Sequence, residues 1–260
     1  MSATLATQAT GRGEPVVLIH GWALNLAVWD ATASALASTY RCIGVDLPGH
    51  GRSGWTAPDA RFAHQLARLE QALPPGPCRV IGWSLGGLFA IALAARQPQR
   101  VRALVLVATL PRFLTTASWP YGLDAAALER FATQLQHNYR QTVSDFLDLQ
   151  TRGSANAATA RAQLVAALRA RGDAAPAALS AGLEILRNTD LRSELAEIRC
   201  PTLAIAGQYD RISPPAGMRA LADAVGPLCT LRTLHRAAHA PFISHSDISA
   251  TEVRGFFDDH

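Results

Sequence analysis

No lysine occurs in the chain; all 24 basic side chains are arginine. With alanine at 49 of 260 positions, the bias points to GC-rich coding. The placement of the arginines excludes more than the missing lysine does. They lie scattered among 20 acidic residues, for a net charge of +4, instead of clustering in basic runs, so no nucleic-acid partner is expected. No apolar run reaches 18 residues, which argues against a transmembrane helix and a membrane partner. Residues 1–10 lack a basic stretch followed by an apolar one, so no signal peptide is expected and the expected location is the cytoplasm. The four cysteines, Cys42, Cys78, Cys200 and Cys229, form no CxxC pair and have no histidine at metal-ligand spacing, so buried free thiols are expected and no metal. No phosphate loop, HExxH or dinucleotide fingerprint is present, and no cofactor is expected.

What is present is enough apolar residue, 49% of 260, to build a large core by burial alone. Runs at 15–20 (PVVLIH), 41–46 (RCIGVD), 78–82 (CRVIG) and 101–109 (VRALVLVAT) are apolar on both faces and alternate with helical patterns such as 85–96. That pattern predicts a parallel sheet covered on both sides. It then stops. From 112 to 188 only helical segments appear, at 123–137, 138–151, 157–171 and 177–187, before strand runs resume at 201–207 and 229–234 and a last helix at about 248–257. The expected organisation is a core split into 1–111 and 189–260, with 112–188 as an all-helical lid inserted after the fourth strand run.

The sharpest chemical signal is Gly82-Trp83-Ser84-Leu85-Gly86, with Gly87 following, placed between a strand and a helix. Glycines on both sides allow a tight turn that holds a serine hydroxyl at a helix N-terminus, as a nucleophile. A base and an orienting carboxylate are then needed, in the order Ser, Asp, His, on loops after later strands. Asp210 lies three residues beyond Gly207 and His239 five beyond Leu234, and both fit. His235 is expected on the surface, His245 as an anchor for the last helix, and Asp190 as a helix cap. The backbone N–H groups of Leu85 and of Trp22, which follows His20-Gly21, are the expected oxyanion donors. His20 itself is expected to brace its loop, as is the turn-rich stretch 46–53 (DLPGHGRS).

The segments 20–22 (HGW), 46–53, 82–87 (GWSLGG) and the late Asp210 and His239 resemble the α/β-hydrolase superfamily over essentially the whole chain. More specific stretches, 146–151 (FLDLQT), 182–186 (GLEIL) and 237–245 (AAHAPFISH), resemble the pimeloyl-[acyl-carrier protein] methyl ester esterases of biotin synthesis. The resemblance implies an α/β-hydrolase fold, a mostly parallel central sheet flanked by helices. It also implies a serine carboxylic ester hydrolase that releases methanol from a carrier-borne acyl methyl ester. Ser84 would attack, His239 would shuttle the proton and Asp210 would hold the imidazole. It further implies a substrate-lining set of Trp22, Ser84, Leu85, Phe146, Leu147, Asp148, Leu149, Gln150 and His239. Phe146, Leu149 and Gln150 share one helical face, while Asp145 and Asp148 share another, expected toward solvent.

The implied partner, acyl carrier protein, is acidic. Arg152, Arg161, Arg169 and Arg171 form an acid-free basic run, and with Arg140 they are the expected docking surface. Gln141 and Asp145 stand where the family would place basic groups. A monomer is expected. The alternative is a broad-specificity short-chain carboxylesterase, or a lactone or C–C hydrolase with the same triad. A non-catalytic receptor on the same fold is disfavoured by the complete triad.

Overall fold

The six strand-like runs all lie in one sheet, and their burial accounts for its order. A computed structural model describes residues 4–260; of the segment 1–10, residues 1–3 lie outside the described residues. The strands are β1 (Thr7–Thr10), β2 (Glu14–Ile19), β3 (Tyr40–Val45), β4 (Cys78–Trp83), β5 (Val101–Val107), β6 (Thr202–Gly207) and β7 (Cys229–Leu234). Their spatial order is β1-β3-β2-β4-β5-β6-β7. β1 runs antiparallel to β3, and every other pair is parallel. All residues of β4 and β6 are buried, as a strand covered on both faces requires. The edges are different: all four residues of β1 are exposed, and in β7 only Leu234 is buried.

The helices are α1 (Asp30–Leu36), α2 (Phe62–Ala72), α3 (Leu85–Arg96), α4 (Ala125–His137), α5 (Tyr139–Thr151), α6 (Ala157–Arg171), α7 (Pro176–Asn188), α8 (Pro215–Val225), α9 (Pro241–Ser244) and α10 (Ser246–Asp258). α3 is buried from Leu85 to Ala94, which is why its sequence is apolar all round. α4 to α7 form a helical segment that lies between β5 and β6 in the chain. They are amphipathic or Ala-rich, and two are capped at their start: Asp124 accepts from the N–H of Ala127, and Asn138 from that of Gln141. Among the described residues no helix is long and apolar enough to cross a membrane.

The insertion is tied to the sheet by polar contacts. Asn25, before α1, donates its amide to the carbonyl of Ala167 in α6 at 3.0 Å. Ala175, between α6 and α7, donates its N–H to Gly49 O at 2.7 Å. The 46–53 loop is therefore the bearing surface of the insertion, which gives physical content to the bracing role read from its turn residues.

Candidate active site

β4 ends at Trp83 and α3 begins at Leu85, leaving Ser84 alone at the turn. Its backbone sits at φ 53°, ψ −119°, a conformation costing a non-glycine residue about 1–3 kcal/mol. Neighbours enforce it. Ser84 donates its N–H to Val107 O at 3.0 Å, and its carbonyl accepts the N–H of Gly87 at 2.9 Å and the hydroxyl of Thr109 at 2.7 Å. A Cβ on Gly86 would strike the carbonyls of Ile19 and His20, and one on Gly87 would strike the side chain of Thr109. The glycines after the serine thus let β2 and the end of β5 close around the turn.

The structure brings the three expected polar side chains together. Ser84 Oγ lies 2.9 Å from His239 Nε2, and His239 Nδ1 lies 2.8 Å from Asp210 Oδ2. The second oxygen of Asp210 accepts the N–H groups of Ile212 and Ser213 at 2.8 and 2.9 Å. An acceptor-only carboxylate facing Nδ1 puts the imidazole proton there, so that Nε2 presents its lone pair to the serine hydroxyl. All three side chains are buried, where such bonds are stronger than in water. The backbone of His239 is clamped as well: its N–H donates to Gln150 O on α5 at 2.9 Å, and its carbonyl accepts the Trp83 indole N–H at 2.8 Å. Sequence reasoning missed this role of Trp83, because a variable position inside a motif carries no separate signal.

Leu85 opens α3, so its N–H has no acceptor within the helix and sits at the positive end of the helix dipole. The loop carrying Trp22 lies against the nucleophile: a Cβ on Gly21 would sit 3.3 Å from Ser84 Cβ. His20 is fully engaged at its base. Its Nδ1–H donates to Gly21 O at 2.8 Å, and its Nε2 accepts the Leu47 N–H at 2.9 Å. Burial pushes its pKa down to about 4, and that of His50, whose ring is 5.2 Å away, to about 3. Both nitrogens of His20 being occupied, it is a brace and not a second base.

A cavity of about 130 Å³ opens on Ser84. It is lined by Trp22, Phe113, Leu123 and Ile212, by Ala127, Leu128 and Phe131 of α4, by Phe146 and Leu149 of α5, and by Leu183 and Leu186 of α7. Trp22 packs edge-on against Phe146 and Phe131 and donates its indole N–H to Leu179 O at 2.9 Å. Ser84 is the one lining residue that carries a hydroxyl, and the volume is below the roughly 300–1,000 Å³ of drug-sized sites. The space suits a slender apolar chain.

Three of the expected lining residues are elsewhere. Leu147 faces an outer groove between α5 and α6. Asp148 pairs with Arg161 on α6, and Gln150 is buried outside the cavity wall, its backbone carbonyl on His239. Leu85 and His239 also stand behind the wall, contributing backbone and ring nitrogen respectively. Those departures follow from helix geometry: of the five consecutive residues, only Phe146 and Leu149, three apart, share the inward face. The wall residues on α4 and α7 were missed; their only signal is the i, i+3 spacing of Leu128 with Phe131 and of Leu183 with Leu186, which ordinary core packing produces too.

The basic run divides in the same way. Arg140, Arg152 and Arg169 are exposed. Arg140, Arg161 and Arg169 line the outer groove, about 440 Å³, with Tyr139 and Asp173. Arg171, expected on the surface, is instead buried against Asp46 at 2.9 Å. Asp190 accepts the N–H of Arg192, the first residue of a short 3-10 helix (Arg192–Glu197), at 3.2 Å, and it also pairs with the Arg192 and Arg112 guanidinium groups, which together hold its carboxyl near 2. His235 is exposed, and His245 precedes α10 with its carbonyl on the Ser249 N–H. Cys42, Cys78 and Cys200 are buried free thiols, with Cys229 half-buried, and burial pushes all four pKa values up. Among the described residues no group of three or more His, Cys, Asp or Glu is placed to hold a metal ion.

The chain is similar to known proteins in sequence and in fold. The profile of the alpha/beta hydrolase fold family matches residues 14–246. A protein of Xanthomonas oryzae pv. oryzae named pimeloyl-[acyl-carrier protein] methyl ester esterase is 43% identical over 95% of this chain and 96% of its own. A protein of the same name from Nitrosomonas europaea is 40% identical over 93% of this chain and 95% of its own. Among solved structures, a bromoperoxidase from Bacillus anthracis superposes with a TM-score of 0.89 at 22% identity, covering 98% of this chain and 95% of its own; at that identity the likeness concerns the fold alone.

Proposed function

The chain belongs to the alpha/beta hydrolase family, and we propose that within it the protein is a serine esterase that hydrolyses the methyl ester of pimeloyl-[acyl-carrier protein]. The observation that carries this reading is the 40–43% identity, over nearly the full length of both chains, to proteins bearing that name. The site supports it chemically. Ser84 attacks the ester carbonyl while His239 Nε2 takes its proton, and Asp210 stabilises the imidazolium. The N–H groups of Trp22 and Leu85 hold the tetrahedral oxyanion. As the C–O bond to the methoxy group breaks, His239 gives the proton to the departing oxygen and methanol leaves; a water then repeats the sequence on the acyl-enzyme, releasing the free acid and restoring Ser84.

The cavity's character favours this substrate. A methyl ester at the end of a methylene chain is uncharged and fits an apolar space beside Ser84. The product carboxylate has no charged partner in the cavity wall, and burying it unpaired is costly, so hydrolysis itself drives release. The insertion 112–188 acts as the lid that supplies most of this apolar wall. The acidic carrier docks on the exposed lid arginines Arg140 and Arg169, which line the outer groove with Arg161, and on the exposed Arg152. The protein works on this partner as a cytoplasmic monomer, without metal, nucleic acid or membrane.

Expression in a biotin-requiring bacterial strain that lacks its own pimeloyl-ester esterase tests the function. The reading predicts growth without biotin, and none with Ser84→Ala. Failure to rescue by well-expressed protein that still cleaves p-nitrophenyl esters would instead indicate a broad-specificity short-chain carboxylesterase.

A further inference from the structure

The peptide units that carry the two oxyanion donors share an arrangement. A trans peptide points its C=O and N–H in opposite directions, and no peptide among the described residues is cis. The N–H of Trp22 therefore belongs to the same rigid plane as the carbonyl of Gly21, and the N–H of Leu85 to that of Ser84. Each of these carbonyls accepts a backbone N–H from three residues on, Leu24 in one case and Gly87 in the other. Each also accepts one buried side-chain donor: His20 Nδ1–H on Gly21 O at 2.8 Å, and Thr109 Oγ–H on Ser84 O at 2.7 Å. Both side chains are 0% exposed.

We propose that His20 and Thr109 are paired positioning residues, each gripping the rear carbonyl of one oxyanion-donor peptide so that its N–H is aimed and polarised toward the reacting oxygen. The inference rests on the reading of Trp22 and Leu85 as those donors. Three features of the chain fit this purpose. Leu47 donates its N–H to His20 Nε2, which leaves the ring proton on Nδ1, where the Gly21 carbonyl needs it. Gly87 has no side chain where one would displace Thr109 from the Ser84 carbonyl. Thr109 also follows Ala108, whose carbonyl is held by the Ser213 hydroxyl at 3.0 Å, so the threonine is fixed from the loop that carries Asp210. Hydrogen bonding at a carbonyl makes the N–H of the same amide a better donor, because such bonds polarise one another along a chain. The effect is felt most when the oxygen carries full charge, that is, in the transition state.

Four variants of the full chain separate positioning from packing. Thr109→Val keeps the shape and removes the hydroxyl; Thr109→Ser keeps the hydroxyl. His20→Gln places its amide near the former Nε2 and leaves Gly21 O without its donor; His20→Asn keeps a donor near the former Nδ1. Rates on p-nitrophenyl butyrate are normalised by active-site titration with diethyl p-nitrophenyl phosphate, and binding of butylboronic acid, whose tetrahedral adduct fills the hole, is measured alongside. Thr109→Val and His20→Gln are expected to lower kcat by roughly 10- to 100-fold, with KM within about twofold and boronate binding weakened in parallel with kcat. Thr109→Ser and His20→Asn are expected to stay within about threefold of wild type. Wild-type kcat and boronate affinity in the Val and Gln variants would overturn the proposal, as would equal losses in all four. A crystal structure of the phosphorylated wild type distinguishes the underlying reading: a phosphoryl oxygen away from the Trp22 and Leu85 N–H groups would reject those donors themselves. The same oxygen seated on both, with the Val and Gln variants unimpaired, would reject only the positioning role.

Discussion

Arg171, the last residue of α6, is held by Asp46, the residue just after β3, in an ion pair with guanidinium nitrogens 2.9 Å from one carboxylate oxygen. Their side chains are 7% and 0% exposed. The carboxylate also accepts the N–H groups of Leu26 and Arg52, each at 2.9 Å, so four donor groups neutralise one buried charge. The helical insertion is thereby fastened to the loop that also anchors His20 through Leu47.

Removing one partner of such a pair strands the other. Arg171→Met is expected to lower the stability of the fold by about 3–5 kcal/mol, read as a shift of the urea midpoint. An unchanged midpoint would mean that the pair contributes nothing in solution. Arg199→Met, whose pair with Glu197 is exposed, should shift it by less than about 1 kcal/mol.

The arginines left exposed carry the carrier-docking proposal. Arg140→Glu combined with Arg169→Glu is expected to raise KM for the carrier-linked ester by about 10-fold or more. Turnover of p-nitrophenyl butyrate should be unaffected. In the wild type, KM for the carrier-linked ester should also rise with salt, as screening weakens the attraction. Equal losses on both esters would place the effect in the fold instead of the docking surface.

The cavity above Ser84 sets how much chain is accepted. Ala127→Phe on α4 fills part of its about 130 Å³. Hydrolysis of p-nitrophenyl esters should then fall more steeply with each added methylene than in the wild type, while the acetate is cleaved at a similar rate. Parallel loss on all chain lengths would show that the acyl group does not use this space.

His20 and His50 make the fold sensitive to mild acid. Desolvation holds them near 4 and 3 in the folded state, with the neighbouring His20 adding to the depression at His50; in the unfolded chain they titrate near 6.5. Below that value the unfolded state binds protons that the native state refuses, so their stabilisation is complete above about 6.5 and is lost as pH falls toward 4. His245 is shifted in the same direction by burial. Carboxylates held low, such as Asp190 near 2, titrate beneath this window. The urea midpoint is expected to drop between pH 7 and pH 4.5, and less so in His50→Asn. A flat profile would contradict the buried, neutral state of the pair.

The parts legible in the sequence were those where backbone geometry dictates residue type. The turn at Ser84 needs small neighbours, parallel strands must be apolar on both faces, and the loops after β6 and β7 can be counted from those strands to Asp210 and His239. β1 was missed because all four residues of Thr7–Thr10 are exposed and carry no apolar alternation; pairing with β3 is its only reason to be a strand. Arg171 was misplaced because an arginine facing solvent and one facing a carboxylate 125 residues away look alike in a sequence. The same holds for the cavity: Leu128 and Leu183 have the spacing of core residues, and only the packing of α4 and α7 above Ser84 turns them into a wall.

Ser84, His239 and Asp210 are proposed to hydrolyse a carrier-borne methyl ester under an apolar lid. The direct measurement is methanol release from purified pimeloyl-[acyl-carrier protein] methyl ester, compared with the free dimethyl ester of pimelic acid. The expected result is rapid release of one methanol per carrier, a higher kcat/KM for the carrier-linked ester, and no release by Ser84→Ala. Cleavage of the free ester alone, with the carrier-linked one untouched, would contradict it.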